Sequence, residues 1–327
     1  MTNHTKKSSS TIKGISFLLL ALLIMSLQGI IVKEIGGDYP ILEIVIFRSF
    51  IALPVSLLIF RMEGNRGLPK TKRVGLHSMR GLFLFLSYTT AFMGIAALPL
   101  ADFSAIRNSG PLMITFLSVI FLAEKVDYKK WIVLIIGFVG VLLIVQPGSA
   151  TFNIGSIFVL ISTLLYALVV LITRKLQTTD SSAAMAYFST LVYMVAAAIF
   201  APLTIMVGEN AGMHPSIAFL FHPWSMPTFV DWLIMSSLGL IWASGMYFIA
   251  RAYSLAKVSV VAPFEYVGLL INILWDVLLW QIFPTPVMLV GAAFTIISGL
   301  YILYRDQRPA PIVNSGIPAP VQKGIGD

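Results

Sequence analysis

The sequence predicts an all-α integral membrane protein, with ten transmembrane helices arranged as two inverted five-helix repeats. Three observations support this fold class: an apolar composition, ten long apolar stretches, and two halves of the chain that match each other. The 327 residues are 58% hydrophobic and only 11% charged, whereas soluble domains carry about 25% charged residues. Most of the surface of the folded chain is therefore expected to face lipid.

Ten stretches have the length and composition of membrane-crossing helices, which need about 20 mostly apolar residues each. They are 14–34, 41–60, 75–97, 101–123, 131–147, 154–173, 182–207, 229–255, 259–282 and 287–304. The first stretch follows a basic tail and is long enough to span the bilayer. We therefore interpret it as an uncleaved helix and not as a signal peptide.

The two halves of the chain match at two constant offsets, 141 residues early in each half and 159 residues later. The matches include Gly14 with Gly155, Lys33 with Arg174, Phe47 with Phe188, Tyr88 with Tyr247, and Gly140 with Gly299. One insertion around 208–228 accounts for the difference between the offsets. Five crossings per copy place the second copy upside down in the membrane, and inverted repeats of this kind are typical of secondary transporters.

The repeat pattern predicts four segments along the chain. An N-terminal tail (1–13) precedes the first repeat (14–148), the second repeat covers 149–305, and the tail at 306–327, rich in Pro and Gly, is expected to be disordered. Alternate loops differ in positive charge: one side of the membrane holds 17 Lys and Arg residues and the other holds Lys33 alone. This bias predicts that both termini are cytoplasmic.

The composition excludes several functions. The chain has no cysteine, and its four histidines lack the spacing of a metal site. No nucleophile and base stand out, so the sequence predicts no enzyme, no metal and no cofactor. The net charge of +8 follows the membrane topology, which argues against a nucleic-acid partner. The expected partners are the lipid bilayer and a small-molecule substrate.

The ninth stretch carries the most informative polar residues. Glu265, Asn272 and Asp276 lie within about 40° of one another on a helix, beside Tyr266 in an otherwise mostly apolar segment. Charge inside a membrane is costly and often functional. The stripe is interpreted as the lining of a cavity that carries a proton or a substrate amine. The alternative is a set of structural ion pairs with Arg107 or Arg251.

The fourth stretch has a similar polar face with Arg107 and Asn108. Pro111 cannot donate a hydrogen bond to the carbonyl of Arg107, and a freed carbonyl there suits a ligand site. The alternative is a kink that serves packing alone.

Two tyrosines related by the repeat, Tyr88 and Tyr247, are expected to face one central space from opposite halves. Each could stack on a ligand and hydrogen-bond to it, or belong to the core. Arg251 shares a helix face with Tyr247 and is a further candidate for substrate binding, as are Asn108, Tyr266 and Asn272. Arg48 is predicted in the outer half of the membrane and Arg80 in the inner half. Both are candidates for coupling or charge balance, together with Glu265 and Asp276.

Small residues recur every four positions at Gly291, Thr295 and Gly299 on the tenth stretch. This spacing allows close contact between helices. It fits a dimer face or an internal contact, so both a monomer and a homodimer stay open.

The chain resembles the EamA-type members of the drug/metabolite transporter superfamily. The resemblance rests on ALPLADFSAIRNSGPLMITFLSVIFLAEKV at 97–126, WIVLIIGFVGVLLIVQPG at 131–148, YALVVLITRKL at 166–176, ARAYSLAKVSVVAPFEYVGLL at 250–270 and GAAFTIISGLYILYR at 291–305. It implies two inverted halves, with helices 1–4 and 6–9 around a central cavity. In most relatives an acidic residue closes both the fourth and ninth helices. Here the first copy has Glu124, but the second copy has Gln281 instead of an acidic residue.

The sequence therefore predicts an inner-membrane carrier of a small organic metabolite, an amino acid or a derivative, which it exports by alternating access with possible proton coupling. One alternative is an importer of a larger metabolite such as riboflavin or S-adenosylmethionine. A membrane enzyme and a non-transporting membrane scaffold are the alternatives from other classes. The charged stripes argue against a scaffold, which gains nothing from their cost.

Overall fold

The structure is a computed structural model that describes residues 2–35, 38–64, 66–122, 128–148, 152–176, 179–210, 212–255 and 262–306. All regular elements in these segments are helical. Five helices contain segments long and apolar enough to cross a membrane: Ile12–Ile35, Ile41–Met62, Ile154–Thr173, Ala183–Val207 and Phe229–Ile249. Shorter apolar helices occur at Trp131–Val145 and Pro286–Tyr301. The chain is therefore an all-α, multi-pass membrane protein.

Twelve α-helices and one 3₁₀-helix are present in the described segments. They are α1 (Thr2–Ile35), α2 (Ile41–Met62), α3 (Val74–Ile95), α4 (Leu100–Arg107), α5 (Gly110–Leu122), α6 (Tyr128–Val145), α7 (Ile154–Leu176), α8 (Ser182–Val207), α9 (Pro215–Phe221), α10 (Phe229–Leu255), the 3₁₀-helix (Ala262–Tyr266), α11 (Val267–Trp280) and α12 (Pro286–Asp306).

The fourth and ninth predicted stretches are not continuous α-helices. The fourth divides into α4 and α5 at Asn108 and Ser109, and Pro111, the second residue of α5, lacks the N–H that a continuous helix would use to bond to the carbonyl of Arg107. The ninth begins as the 3₁₀-helix and continues as α11, which ends at Gln281 in a left-handed conformation with φ of 56°. The predicted insertion at 208–228 holds the short helix α9. Of the predicted tail at 306–327, only Asp306 belongs to the described residues.

The helices pack in a regular set of pairs. Helix α3 packs along α7 and α8, whereas α10 packs along α1 and α2. Three further pairs are α2 with α8, α6 with α12, and α4 with α11. The largest apolar core lies among α1, α2, α3, α8 and α10, where Phe92, Met235 and Leu238 are almost completely buried.

The small residues of α12 form internal contacts. A Cβ atom added at Gly291 would lie 2.6 Å from the carbonyl oxygen of Gly140 on α6, and one added at Gly140 would lie 2.7 Å from the carbonyl oxygen of Gly291. Thr295 is fully buried, and Gly299 lies against the Tyr266 hydroxyl. Because these residues are covered within one chain, they are not free to form a dimer face.

Candidate functional site: a polar cavity between four helices

A cavity of about 120 Å³ lies between α1, α3, α4 and α11. Apolar side chains make up most of its wall, and its polar groups come from all four helices. The lining residues are Met25, Ser26, Gln28, Gly29, Tyr88, Ala91, Phe92, Ile95, Leu100, Phe103, Arg107 and Asn272. None of these described lining residues is acidic. The cavity therefore has a cationic group and neutral hydrogen-bonding groups within an apolar wall.

Arg107 is the charged group of the cavity and occupies the last residue of α4. Its guanidinium carbon lies 5.5 Å from the ring centre of Tyr88 and 5.2 Å from that of Tyr166. Nη1 donates a hydrogen bond to Ser162 Oγ at 3.1 Å. The rings and the hydroxyl fix the orientation of the guanidinium. Aromatic faces attract cations, and they leave other guanidinium N–H groups able to bind a ligand.

The helix break follows Arg107 immediately. Asn108 closes α4, and its Nδ2 is buried with no hydrogen-bond partner among the described residues. The same holds for the hydroxyl of Ser109. Unsatisfied buried polar groups are rare in folded proteins and often mark a functional site or an unseen ligand. The break thus places polar groups beside the cavity, although Asn108 itself is not in its lining.

The polar groups opposite Arg107 come from α1 and α11. Asn272 donates a hydrogen bond from Nδ2 to Ser104 Oγ, which ties α11 to α4. Trp275 donates from Nε1 to Ser26 Oγ at 2.9 Å. Gln28 is 5% exposed, and its Oε1 has no partner among the described residues. This acceptor is the group best placed on α1 to bind a ligand donor.

The sequence interpretation missed Gln28 and Ser26. Their signal is present in the first apolar stretch, where they are the polar residues of ALLIMSLQGIIV. A buried amide within a lipid-crossing helix is costly without a hydrogen-bond partner, although less so than the charged residues noted on other helices.

The two repeat-related tyrosines occupy different environments. Tyr88 lines the cavity and contacts Trp242 edge-to-face, with ring centres 4.6 Å apart. Tyr247 is half-buried, packs against Phe248, and is absent from the cavity lining. The pseudo-equivalent positions therefore do not meet in one cavity in this conformation.

Arg80 joins three helices and lies away from the cavity. Nε donates to Thr173 Oγ1 at 2.8 Å, and Nη1 donates to the carbonyl oxygen of Met185 at 3.0 Å and to Ser189 Oγ. These bonds connect α3 to α7 and α8. Such an arrangement has a structural role in the conformation described.

Arg48 is 2% exposed and lies in a group of aromatic rings. Its guanidinium carbon is 4.9 Å from the ring centres of both Tyr193 and Trp242 and 5.7 Å from that of Phe92. Glu43, five residues earlier, instead accepts a hydrogen bond from the backbone N–H of Ser225. Five residues correspond to about 140° around a helix, so the two charges point in different directions.

Asp276 is completely buried and caps α4. Its Oδ1 accepts the backbone N–H of Leu100 at 3.0 Å, and its Oδ2 accepts that of Ala101 at 2.5 Å. The Lys33 ammonium lies 3.9 Å from Oδ1 and 4.3 Å from the ring centre of Trp280. This is the geometry of a helix N-cap with a nearby cation.

The remaining predicted residues lie outside the cavity lining or outside the described part of the chain. Glu265 is exposed on the 3₁₀-helix, while Tyr266 is 8% exposed with its hydroxyl against Gly299. Arg251 lies in α10, but its side chain is outside the described part of the chain. Glu124 is also outside the described residues, and its counterpart Gln281 is the C-cap of α11.

Comparison with known proteins identifies the family. Residues 12–146 match the sequence model of the EamA-like transporter family. Over 295 residues the chain is 26% identical to an S-adenosylmethionine uptake transporter of Rickettsia bellii (strain RML369-C), covering 90% of this chain and 94% of the relative. Residues 12–146 belong to the EamA-like transporter family, and the relatives that match most of the chain are named as transporters. The chain is therefore a multi-pass membrane protein whose relatives indicate transport and not an enzymatic reaction.

Other relatives of the chain carry different substrates in their names. A pseudopaline exporter of Pseudomonas aeruginosa is 25% identical over 287 residues, covering 87% of this chain and 94% of the relative. A riboflavin transporter of Vibrio cholerae is 25% identical over 265 residues, covering 80% and 83%. A solved crystal structure has the same fold, with a TM-score of 0.60 at 16% identity over 93% of this chain and all of that chain.

Proposed function

We propose that the chain is an EamA-type transporter that exports an amino acid or an amino acid derivative across the inner (plasma) membrane by alternating access. The observation that supports this best is Arg107, a cation that faces a cavity whose described lining has no acidic residue. A carboxylate of the substrate can accept hydrogen bonds from the guanidinium in a bidentate arrangement. We place the transporter in the membrane with both termini cytoplasmic, following the charge bias of its loops.

The rest of the cavity fits the other parts of such a substrate. The unpartnered Oε1 of Gln28 is an acceptor for an ammonium group, and Asn272 supplies a second amide. Phe92, Phe103 and Ile95 form an apolar wall for a side chain. A zwitterionic head group and an apolar tail would therefore both find complementary surfaces.

The packing of the helices supports two inverted five-helix repeats, which alternating access requires in this class. The predicted repeat makes α1, α2, α3 and α6 the equivalents of α7, α8, α10 and α12, in that order. If every helix is replaced by its equivalent, the α3–α7 pair becomes the α10–α1 pair. The same replacement converts α3–α8 into α10–α2 and leaves α2–α8 and α6–α12 unchanged; all of these pairs are in contact.

Individual contacts follow the same exchange. A Cβ atom added at Gly81 on α3 would meet Val192 on α8, and one added at Gly239 on α10 would meet Ile51 on α2. Val192 and Ile51 are 141 residues apart, the offset of the early part of the repeat. The family match over residues 12–146 ends near the predicted boundary of the first repeat at 148.

A second candidate function is the import of a larger metabolite. S-adenosylmethionine is one such substrate and riboflavin is the other. The relative of Rickettsia bellii that bears the S-adenosylmethionine name covers almost all of this chain. S-adenosylmethionine has the same α-carboxylate and α-ammonium groups as an amino acid, so Arg107 and Gln28 suit both candidates. They differ in the size of the tail and in the direction of transport.

A binding assay with defined analogues tests the proposal. Purified protein is screened by thermal unfolding against amino acids, S-adenosylmethionine, the decarboxylated amines of both, and riboflavin, which has no carboxylate, because a ligand of the folded state raises its stability. We expect carboxylate-bearing compounds to stabilise the wild type and their amines to have no effect. Arg107→Gln should abolish the stabilisation, whereas Arg61→Gln, an exposed arginine on α2, should preserve it.

Two further measurements separate the alternatives. Uptake by right-side-out and everted vesicles, with whichever compound binds, distinguishes export from import. Equal stabilisation by a compound and its decarboxylated amine would contradict the role of Arg107. A protein that binds none of these compounds and moves none across vesicles would favour the scaffold.

A further inference from the structure

A second, smaller cavity is lined by Trp242, whose ring contacts Tyr88 of the first cavity. It has a volume of about 10 Å³ and lies between α2, α3, α8 and α10. Its lining residues are Arg48, Ser49, Ala52, Leu84, Ser189, Thr190, Tyr193 and Trp242. A cavity of roughly this volume accommodates one water-sized occupant. It is too small for an amino acid.

Two hydrogen-bond donors in the lining of this cavity lack well-formed hydrogen bonds. The Arg48 guanidinium lies beside the Tyr193 hydroxyl and interacts with it, but neither Arg48 Nη1 nor the Tyr193 hydroxyl makes a hydrogen bond of good geometry within the described residues, and both atoms are buried. The residues themselves are 2% and 3% exposed. The Ser49 and Thr190 hydroxyls donate to the carbonyls of Val45 and Ala186 on their own helices. Their oxygens could still accept a proton, but neither accepts one from Arg48 Nη1 or from the Tyr193 hydroxyl.

The electrostatic balance at this cavity favours an anion. Ser189, in the cavity lining, accepts a hydrogen bond from Arg80, so two guanidinium groups flank the same small space. In the described part of the chain, neither Arg48 nor Arg80 has a carboxylate within ion-pair distance. Two like charges buried close together are costly without compensation. The three rings around Arg48 offset only part of that cost.

We propose that this cavity binds a single chloride ion between Arg48 Nη1 and the Tyr193 hydroxyl. Among anions, a monatomic halide needs the least space, and it can accept from both donors and partly neutralise the two arginines. A water molecule would fit the volume but would leave both positive charges uncompensated. The proposal does not depend on the identity of the transported substrate, because the site is separate from the Arg107 cavity.

Thermal unfolding of the detergent-purified protein at constant ionic strength tests the site. Sodium chloride and sodium bromide are titrated against sodium gluconate and sodium acetate. We expect chloride and bromide to raise the melting temperature in a saturable way, and gluconate and acetate to have no such effect. Crystals soaked in bromide should show an anomalous peak beside Arg48 and Tyr193.

Three variants distinguish a bound anion from a general salt effect. Tyr193→Phe keeps the ring next to Arg48 and removes one donor, so the affinity for chloride should fall roughly tenfold. Arg48→Gln should abolish the saturable response, while Arg61→Gln, on the same helix but exposed, should leave it unchanged. If Arg48→Gln does not fold, the Tyr193→Phe variant and the bromide peak still test whether an anion binds in this cavity.

Three results would overturn the proposal. Equal stability in chloride and gluconate would assign a water molecule to the cavity. An unchanged chloride response in Tyr193→Phe would mean that any bound anion lies at a different site. Stabilisation by acetate as strong as that by chloride would contradict the size limit. None of these results bears on substrate binding at Arg107, so this proposal and the proposed function can fail independently.

Discussion

The carboxylate of Asp276 on α11 accepts the backbone N–H of Ala101 at the start of α4, with Oδ2 2.5 Å from the nitrogen. These residues belong to different halves of the chain, 175 positions apart. The bond closes one end of the Arg107 cavity, because α4 and α11 both contribute to its wall. A residue predicted to line a cavity or carry protons thus fixes the helix that presents Arg107.

Replacing this carboxylate should destabilise the protein. Asp276→Asn keeps the size of the side chain but cannot accept both N–H groups of α4, so we expect a loss of about 1–3 kcal/mol in the free energy of unfolding. Lys33→Met, which leaves both of those bonds in place, should cost less. Unfolding in denaturant, followed by tryptophan fluorescence, measures both. An Asp276→Asn variant as stable as the wild type would show that the cap contributes nothing.

Tyr88 should contribute to ligand binding and Tyr247 should not. Tyr88→Ala removes a ring from the cavity wall and from beside Arg107, so affinity for the ligand found in the screen should fall by about 1–3 kcal/mol. Tyr247→Ala is the matched control, since the repeat relates the two positions but only Tyr88 lines the cavity. Isothermal titration measures the affinities. An equal loss in both variants would indicate that Tyr247 joins the site in another conformation.

Glu265 is the residue that we expect to couple transport to protons. It is exposed on the 3₁₀-helix. The Asp276 carboxylate accepts two backbone N–H groups of α4. Glu265→Gln should abolish accumulation against a gradient and retain exchange of labelled for unlabelled substrate in proteoliposomes. Glu63→Gln, an exposed carboxylate at the end of α2, should behave as wild type. Accumulation by Glu265→Gln with normal pH dependence would exclude this role.

The membrane orientation can be tested because the chain has no native cysteine. Asn210→Cys lies in the insertion predicted outside, and Glu63→Cys lies in a loop predicted inside; both positions are exposed. An impermeant thiol reagent should label Asn210→Cys in intact cells, and Glu63→Cys only after lysis. Ser216, although in the same insertion, is unsuitable because it is fully buried. The reverse labelling pattern would invert the predicted topology.

Asp180, in the turn between α7 and α8, should give a pH-dependent contribution to stability. Partial burial acts to raise its pKa, but hydrogen bonds from the Thr179 and Thr71 hydroxyls and the nearby His77 outweigh it, so the pKa lies below its usual value. The contribution should be fully present above the unfolded pKa of roughly 3.9. It should disappear as the pH falls through the lowered folded value.

The comparison of wild type with Asp180→Asn measures this contribution. The difference in melting temperature between the two should be constant near neutral pH and should shrink in acid. A difference that does not shrink as the pH falls below the unfolded pKa of Asp180 would contradict the lowered pKa.

The sequence by itself determined the membrane class, the approximate ends of the helices and the family. Those properties depend on local composition, on the length of apolar runs and on motifs, all of which can be read along the chain. The break near Pro111 was also accessible, since a missing N–H is a property of the residue. Gln28 could also have been noticed in the sequence, as a polar residue in an apolar run. The sequence does not show that Gln28 faces the cavity, because that depends on which helices pack against α1.

Only the tertiary structure decided which polar residues meet. Helical spacing placed Glu265, Asn272 and Asp276 on one face, but Asn272 lies at the cavity, Asp276 caps α4, and Glu265 is exposed. The partner of a buried charge is set by contacts between helices far apart in the chain. For the same reason the sequence could not separate Arg107, which faces a cavity, from Arg80, whose donors are taken by backbone and hydroxyl groups of two other helices.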